Sequence, residues 1–213
     1  NRGEVLCHNV RGRDVACRLV RDVSDSTDSL VGQVRFSPLR PSVVGVAYGD
    51  GTLSIYDRAA GGTAEPSVDP ADSPILRIKP IVEWKLHSKP TDHTYRRGAL
   101  SFSPLNHKFL VSAGADGELV FTDYDQRKVV KKLPTHSGPL TAVTFISGVY
   151  VAAGTERGAV LVYDLRNSTQ PVNNLQGHSQ APITAMHFHT PLTSSANKVS
   201  GRSVASDSVA ATS

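Results

Sequence analysis

Between Pro139 and Arg166 the chain reads PLTAVTFISGVYVAAGTERGAVLVYDLR, and its apolar positions fall into three short runs. Leu140–Phe145 alternates apolar with small polar residues, Tyr150–Ala153 is short and apolar, and Ala159–Tyr163 is β-branched and aromatic. Gly148 and the stretch Gly154–Gly158 punctuate them. Period-two runs broken by glycine predict strands joined by tight antiparallel turns. The pattern recurs. A phenylalanine closes the first run at Phe36, Phe102, Phe145 and Phe188, and the last three are 43 residues apart. The step from Phe36 to Phe102 is one period plus an insertion. The third run recurs as Leu53–Asp57, Leu119–Asp123 and Val160–Asp164, preceded by Gly51, Gly117 and Gly158.

In chain order, Gly3–Asn9 and Val15–Val20 are predicted to be the last two strands of one unit. Leu30–Leu86 makes the next, with strands ending at Phe36, over Val43–Tyr48, after the Gly49-Asp50-Gly51 turn, and over Ile81–Leu86. Inside it, Ala59–Pro80 is rich in Ala, Gly, Pro and Asp and is expected to be a mostly disordered insertion. Strands ending at Phe102 and over Phe109–Ala113, Glu118–Asp123 and Val129–Leu133 make the third unit. The opening stretch with Pro171–Gln176 makes the fourth, and Pro182–His189 is expected to be a lone first strand. Thr193–Ser213 has no period and reads as a flexible Ser/Thr/Ala-rich linker.

A period near 40–45 residues with four strands per unit is the sign of propeller blades. The chain resembles a WD-repeat β-propeller, an all-β fold, with Tyr56-Asp57 and Tyr163-Asp164 where the family's Trp-Asp pair sits. His136 and His178 occupy the place of the family's Gly-His, with His87 a weaker match. The expectation is a partial propeller over residues 1–192, about three full blades plus pieces of two, the C-terminal part of a ring of seven.

Composition adds limits. The 213 residues are 39% hydrophobic and 20% charged, with a net charge of +4. That basic bias is too mild to imply nucleic acid, and no apolar run reaches the roughly 18 residues of a membrane helix. Six Phe, six Tyr and one Trp lie mostly in strand positions, which leaves little for base stacking. Cys7 and Cys17 sit in apolar runs and read as buried free thiols of a reducing compartment rather than a disulfide.

No catalytic, cofactor or metal site is predicted. The chain has no nucleophile elbow, phosphate loop or dinucleotide fingerprint, and its carboxylates are scattered over turns. His178, His187 and His189 lack metal-ligand spacing and read as rim residues. In the WD-repeat family a His, a Ser or Thr, a turn Asp and the Trp can form a buried polar set. Ser112 and Asp116 match two of those places, and His136 matches one in the following blade, where Glu156-Arg157 replaces the Asp. Such a set is structural before it is catalytic. The basic pairs Arg96-Arg97, Arg127-Lys128 and Lys131-Lys132 read as solvated rim, with docking of an acidic partner as the alternative. Tyr163, Asp164 and Arg166 resemble a motif by which some WD-repeat proteins dock a cullin-type ubiquitin-ligase adaptor. With Arg96 and Arg97 they are the candidate binding residues.

Finer features resemble one family. Pro139-Leu140-Thr141, Val143, Phe145, Ala152-Ala153-Gly154-Thr155, Val162–Arg166 and Pro171-Val172 are similar to the NEDD family, the neural-precursor-expressed, developmentally down-regulated WD-repeat proteins. Phe102-Ser103-Pro104, Asn106, Leu110-Val111-Ser112, Asp116, Val130 and Lys132 keep that family's order. The resemblance covers Gly98–Thr193 and implies a non-enzymatic adaptor of the cytoplasm, cytoskeleton, centrosome or spindle. Its propeller would hold a spindle or centrosome protein, and a C-terminal region outside this chain would bind γ-tubulin ring complex components for microtubule nucleation in mitosis. It implies no cofactor, nucleic acid or membrane partner. The alternative implied function is the substrate receptor of a cullin-type ubiquitin ligase.

Overall fold

The computed structural model describes residues 5–8, 15–21, 30–65, 75–88, 98–166 and 169–188. In chain order its strands are β1 (Val5–His8), β2 (Val15–Leu19), β3 (Val31–Phe36), β4 (Val43–Tyr48), β5 (Thr52–Asp57), β6 (Thr63–Glu65), β7 (Ile75–Ile78), β8 (Val82–Lys85), β9 (Ala99–Phe102), β10 (Phe109–Ala113), β11 (Glu118–Asp123), β12 (Lys128–Pro134), β13 (Leu140–Phe145), β14 (Tyr150–Thr155), β15 (Ala159–Asp164) and β16 (Asn173–Gln176). Three sheets are antiparallel blades in the orders β3-β4-β5-β8, β9-β10-β11-β12 and β13-β14-β15-β16. The fourth sheet runs β1-β2-β7-β6.

The middle strands read as unbroken apolar runs because both of their faces are covered. Side chains alternate across a strand, and here each face meets a different neighbour. On β4, Val44, Val46 and Tyr48 pack with Cys17, Leu19 and Ile78 of the sheet β1-β2-β7-β6. Val43 and Ala47 point the other way, into a cluster with Leu100, Leu110 and Val120. On β11, Val120 joins that second cluster, whereas Leu119 and Phe121 join a third with Val143, Leu161 and Tyr163. Each fully buried Leu, Val or Phe contributes about 1.5–3 kcal/mol, so adjacent blades are joined mainly by apolar contact.

The segment 59–80, expected to be a mostly disordered insertion, is ordered into strands at both described ends. Asp57 caps a single turn at Arg58–Ala60 by accepting the Ala59 N–H at 3.0 Å, and β6 follows. β7 lies parallel to β2, with Cys17 opposite Leu76 and Leu19 opposite Ile78. The Val20 N–H donates to the Ile78 carbonyl at 2.9 Å. The insertion therefore leaves its own blade after the third strand, adds β7 and, beyond it, β6 to the outside of the preceding sheet, and returns for β8. The physical cause is the free ladder edge of β2, which an apolar Ile75-Leu76-Arg77-Ile78 run satisfies while burying Ile78. Residues 66–74 lie outside the described residues.

Pro182–His189, expected to be a strand, forms no ladder over its described residues 182–188. It is held at separate points. The Ile183 N–H donates to the Thr155 carbonyl at 3.1 Å, and the Thr141 hydroxyl donates to the Ile183 carbonyl at 2.7 Å. Further along, the Arg35 guanidinium donates to the Met186 carbonyl at 3.4 Å. A first strand needs a second to complete its ladder, and none is present among the described residues.

Candidate functional site

The polar features gather where one blade ends and the next turns back. β8 ends at Lys85, and the chain then presents His87 to the following blade. Both the Leu86 and His87 N–H groups donate to the Gly51 carbonyl at 3.1 Å, which fixes this end. His87 Nδ1 lies 3.0 Å from Asp116 Oδ1, and Nε2 lies 2.8 Å from the Ser112 hydroxyl. An ionised carboxylate only accepts, so Nδ1–H donates to Asp116. Asp116 also accepts the Ser88 N–H at 3.1 Å and the Glu118 N–H at 3.2 Å. Burial pushes its carboxyl up, but the hydrogen bonds from His87, Glu118 and Ser88 outweigh it, and Asp116 is held below the usual carboxylate range.

The histidine of this set is therefore His87, contributed by the preceding blade, the weaker of the Gly-His matches in the sequence. His136 holds the same place one blade later but is exposed, with a φ of 54°. The residues it would meet are Ala153 and Arg157, which offer no matching acceptor. In that blade the turn is closed instead by Thr155, whose hydroxyl oxygen accepts the Ala159 N–H at 3.0 Å.

One blade earlier the same place is filled by Arg21, which the sequence reading passed over. Arg21 follows β2 by the spacing at which His87 follows β8. Its guanidinium reaches Asp50 at 3.4 Å and Glu83 at 3.2 Å, and lies 4.2 Å from the centre of the Tyr48 ring. Asp50 accepts the Thr52 N–H at 2.9 Å, as Asp116 accepts that of Glu118. Glu83 also accepts the Ser54 hydroxyl at 2.8 Å. The available signal was a cation two residues past an outer strand, paired with an Asp-Gly turn in the next blade. Replacing Arg21 with alanine is expected to destabilise the protein by about 1–3 kcal/mol, since it removes a largely buried ion pair and a cation–π contact together. Urea unfolding of Arg21→Ala beside Arg21→Lys checks this, and lysine should recover only part of the loss because it cannot bridge both carboxylates in a fork.

The candidate binding residues divide. Tyr163 is fully buried in the apolar cluster between the last two blades, and burial pushes its hydroxyl up. Asp164 and Arg166 are at the surface. Arg166 donates to Asp164 at 2.6 and 2.9 Å and to the Tyr150 hydroxyl at 3.0 Å. The hydrogen bonds from Arg166 hold Asp164 far below the usual carboxylate range and raise Arg166 in return. Arg166 is thus directed back onto its own blade. Arg96 and Arg97 lie outside the described residues. Lys128, Lys131 and Lys132 are exposed on the outer strand β12, where Lys132 pairs with Glu118 at 3.8 Å.

A small crevice beside His87 is lined by Tyr48, Gly51, Leu53, Ser112 and Gly114. Of its lining serine and threonine residues, Thr52, Ser88 and Ser112, Ser112 is hydrogen-bonded to His87 within the structural set. Among the described residues no three of His, Cys, Asp and Glu gather as a metal centre, and no helix is long and apolar enough to cross a membrane.

This architecture fits its relatives. A solved structure named "Crystal Structure of Mitotic Checkpoint Complex" aligns with a TM-score of 0.60 at 20% identity, covering 85% of this chain and 46% of that one, a likeness of fold alone. Protein NEDD1 of Mus musculus is 31% identical over 121 residues, 53% of this chain and 18% of that protein. Protein NEDD1 of Homo sapiens is 35% identical over 127 residues, 55% of this chain and 19% of that protein. The chain spans less than a fifth of the length of these curated relatives, and the resemblance to the NEDD family read from its residues holds. The family model described as Nucleolar protein 10-like, N-terminal domain, a β-propeller, matches residues 89–207. Repeated four-stranded blades, the inter-blade polar set and a match over more than half of the sequence lead to one assignment: the chain belongs to this Nucleolar protein 10-like β-propeller family.

Proposed function

We propose that this chain is the propeller part of a non-enzymatic adaptor that brings the γ-tubulin ring complex to centrosomes or the spindle for microtubule nucleation. The observation that carries the reading is the similarity to Protein NEDD1. The geometry supports a scaffold. Blades joined by buried apolar clusters make a rigid body, and the polar set around His87 is spent on holding two blades together. What is left for function is the exposed loop and rim surface, which suits a spindle or centrosome protein as partner. The setting is the cytoplasm.

The test is affinity capture of the intact protein from dividing cells, read by mass spectrometry. γ-Tubulin and its ring-complex partners are expected in the eluate. Nucleolar proteins, or a cullin with its adaptor, recovered without γ-tubulin would overturn the reading. Arg166→Ala sharpens it. Because Arg166 is satisfied by Asp164 and Tyr150, the substitution is expected to leave γ-tubulin recovery unchanged. Loss of a cullin adaptor from the eluate on this substitution would count for the ligase function instead.

A further inference from the structure

Cys7 of β1 and Cys17 of β2 stand directly opposite one another in the antiparallel ladder. Both are free thiols. Residues directly opposite in such a ladder share a face, with Cα atoms about 4.5–5.5 Å apart. A disulfide spans Cα separations of about 4.4–6.8 Å, so the register already meets the backbone requirement. Both side chains point into the cluster shared with β4, Cys17 as a buried member and Cys7 packed against it half-buried. The ladder is irregular between Cys7 and His8, and a bulge beside Cys7 lets β1 close the last fraction of an ångström without tearing its pairing. β2 cannot move to the same degree, because β7 holds its other edge with Leu76 opposite Cys17.

We propose that Cys7 and Cys17 form a reversible dithiol–disulfide modification site, oxidised by a small disulfide of the glutathione class, that stitches β1 to β2 and fixes the strand on which the insertion docks. The chemistry runs in two exchanges. The Cys7 thiolate attacks one sulfur of the oxidised small thiol. One small thiol leaves with the proton that Cys7 gave up, and Cys7 carries the other as a mixed disulfide. The Cys17 thiol then loses its proton and attacks the Cys7 sulfur, and the second small thiol leaves with that proton. Two protein thiols are oxidised, one small disulfide is reduced to two thiols, and no protons are gained or lost overall. The order follows from burial. Burial and the hydrogen bond with Cys7 push the Cys17 thiol up to about 11, so it is a poor first nucleophile and serves as the resolving thiol. Cross-strand Cβ atoms about 4.5–5.5 Å apart exceed the mean for a relaxed disulfide. The bond therefore draws the strands together and is readily reduced, which makes it a switch rather than a permanent staple.

The experiment exposes the intact native protein to oxidised glutathione, blocks remaining thiols with an alkylating agent, and maps tryptic peptides by mass spectrometry. The peptides Gly3–Arg11 and Asp14–Arg18 are expected to be joined, lighter than their sum by two hydrogen atoms, and to separate again with reductant. Cys17→Ser is expected to accumulate glutathione on Cys7, and Cys7→Ser to leave Cys17 unmodified in the native state. A lasting mixed disulfide on Cys7 of the unsubstituted protein overturns the proposal, as does the absence of any reaction at either cysteine. Modification of Cys17 in Cys7→Ser as fast as that of Cys7 in Cys17→Ser overturns the assigned order.

Discussion

Replacing His87 with alanine is expected to lower the unfolding free energy by about 2–4 kcal/mol, among the largest single-residue effects outside the apolar core. His87 is 5% exposed and is the hub of the set, contributed by one blade and bonded to Ser112 and Asp116 of the next. Alanine leaves a carboxylate that is largely withdrawn from water without its main side-chain partner, and opens a void against Gly114, whose backbone approaches the imidazole too closely for any side chain. Urea unfolding of the intact protein, followed by far-ultraviolet circular dichroism, measures the loss. A change below about 1 kcal/mol would show that the set adds no more than an ordinary exposed contact. The pH dependence gives a second readout. Asp116 has a depressed carboxyl in the folded protein, so its stabilisation is complete above the unfolded carboxylate value of about 3.9 and fades as pH falls through the lower folded value. The stability gap between the unsubstituted protein and Asp116→Ala should accordingly be widest near neutrality and shrink in acid below about pH 4.

Gly51→Ala is expected to cost roughly 2–5 kcal/mol, the sum of two separate penalties. Gly51 has a φ of 85°, a conformation that penalises any Cβ. A Cβ there would also overlap the carbonyl oxygen of His87, which is backbone and cannot swing aside. The Gly51 carbonyl receives the Leu86 and His87 N–H groups, so displacing this turn moves the histidine off Asp116 as well. Gly138→Ala is the control. Its φ is 78°, but nothing lies within 4 Å of the position a Cβ would take, so about 1–2 kcal/mol is expected. Equal losses at the two sites, in the same unfolding assay, would rule out the backbone overlap as a contributor.

The set around His87 was half legible in the sequence. Ser112 and Asp116 stand just before Gly117, the glycine that recurs ahead of each third run. His87 reads only as the weaker Gly-His match because the insertion at 59–80 disrupts the period just before β8. His136 lies in the better-preserved neighbouring repeat and looks the stronger match. Arg21 was missed because it is chemically unlike histidine. Only its contacts with Asp50, Glu83 and Tyr48 reveal that a cation can occupy the same position between blades. Tyr163 shows the opposite limit. The motif it belongs to looks like a surface patch, yet alternation along β15 turns Leu161 and Tyr163 into the core and leaves Asp164 and Arg166 outside.

What the sequence by itself determined is local and periodic. Runs of β-branched and aromatic residues closed by glycine turns can satisfy their backbone only as short antiparallel strands, and repetition of such a unit requires a stack of blades, since one unit alone cannot bury its faces. The tertiary structure decided everything that depends on which edge or face a segment meets. Whether Ile75–Ile78 is a loop or a strand rests on the free edge of β2, from which its sequence position is remote. Whether Pro182–His189 is a strand rests on a partner to pair with. Whether two cysteines ten positions apart are neighbours rests on a register that shifts beside Cys7. Strand propensity is written residue by residue, but hydrogen-bond partners across a sheet are assigned by the whole assembly, and that is the information a single sequence carries least directly.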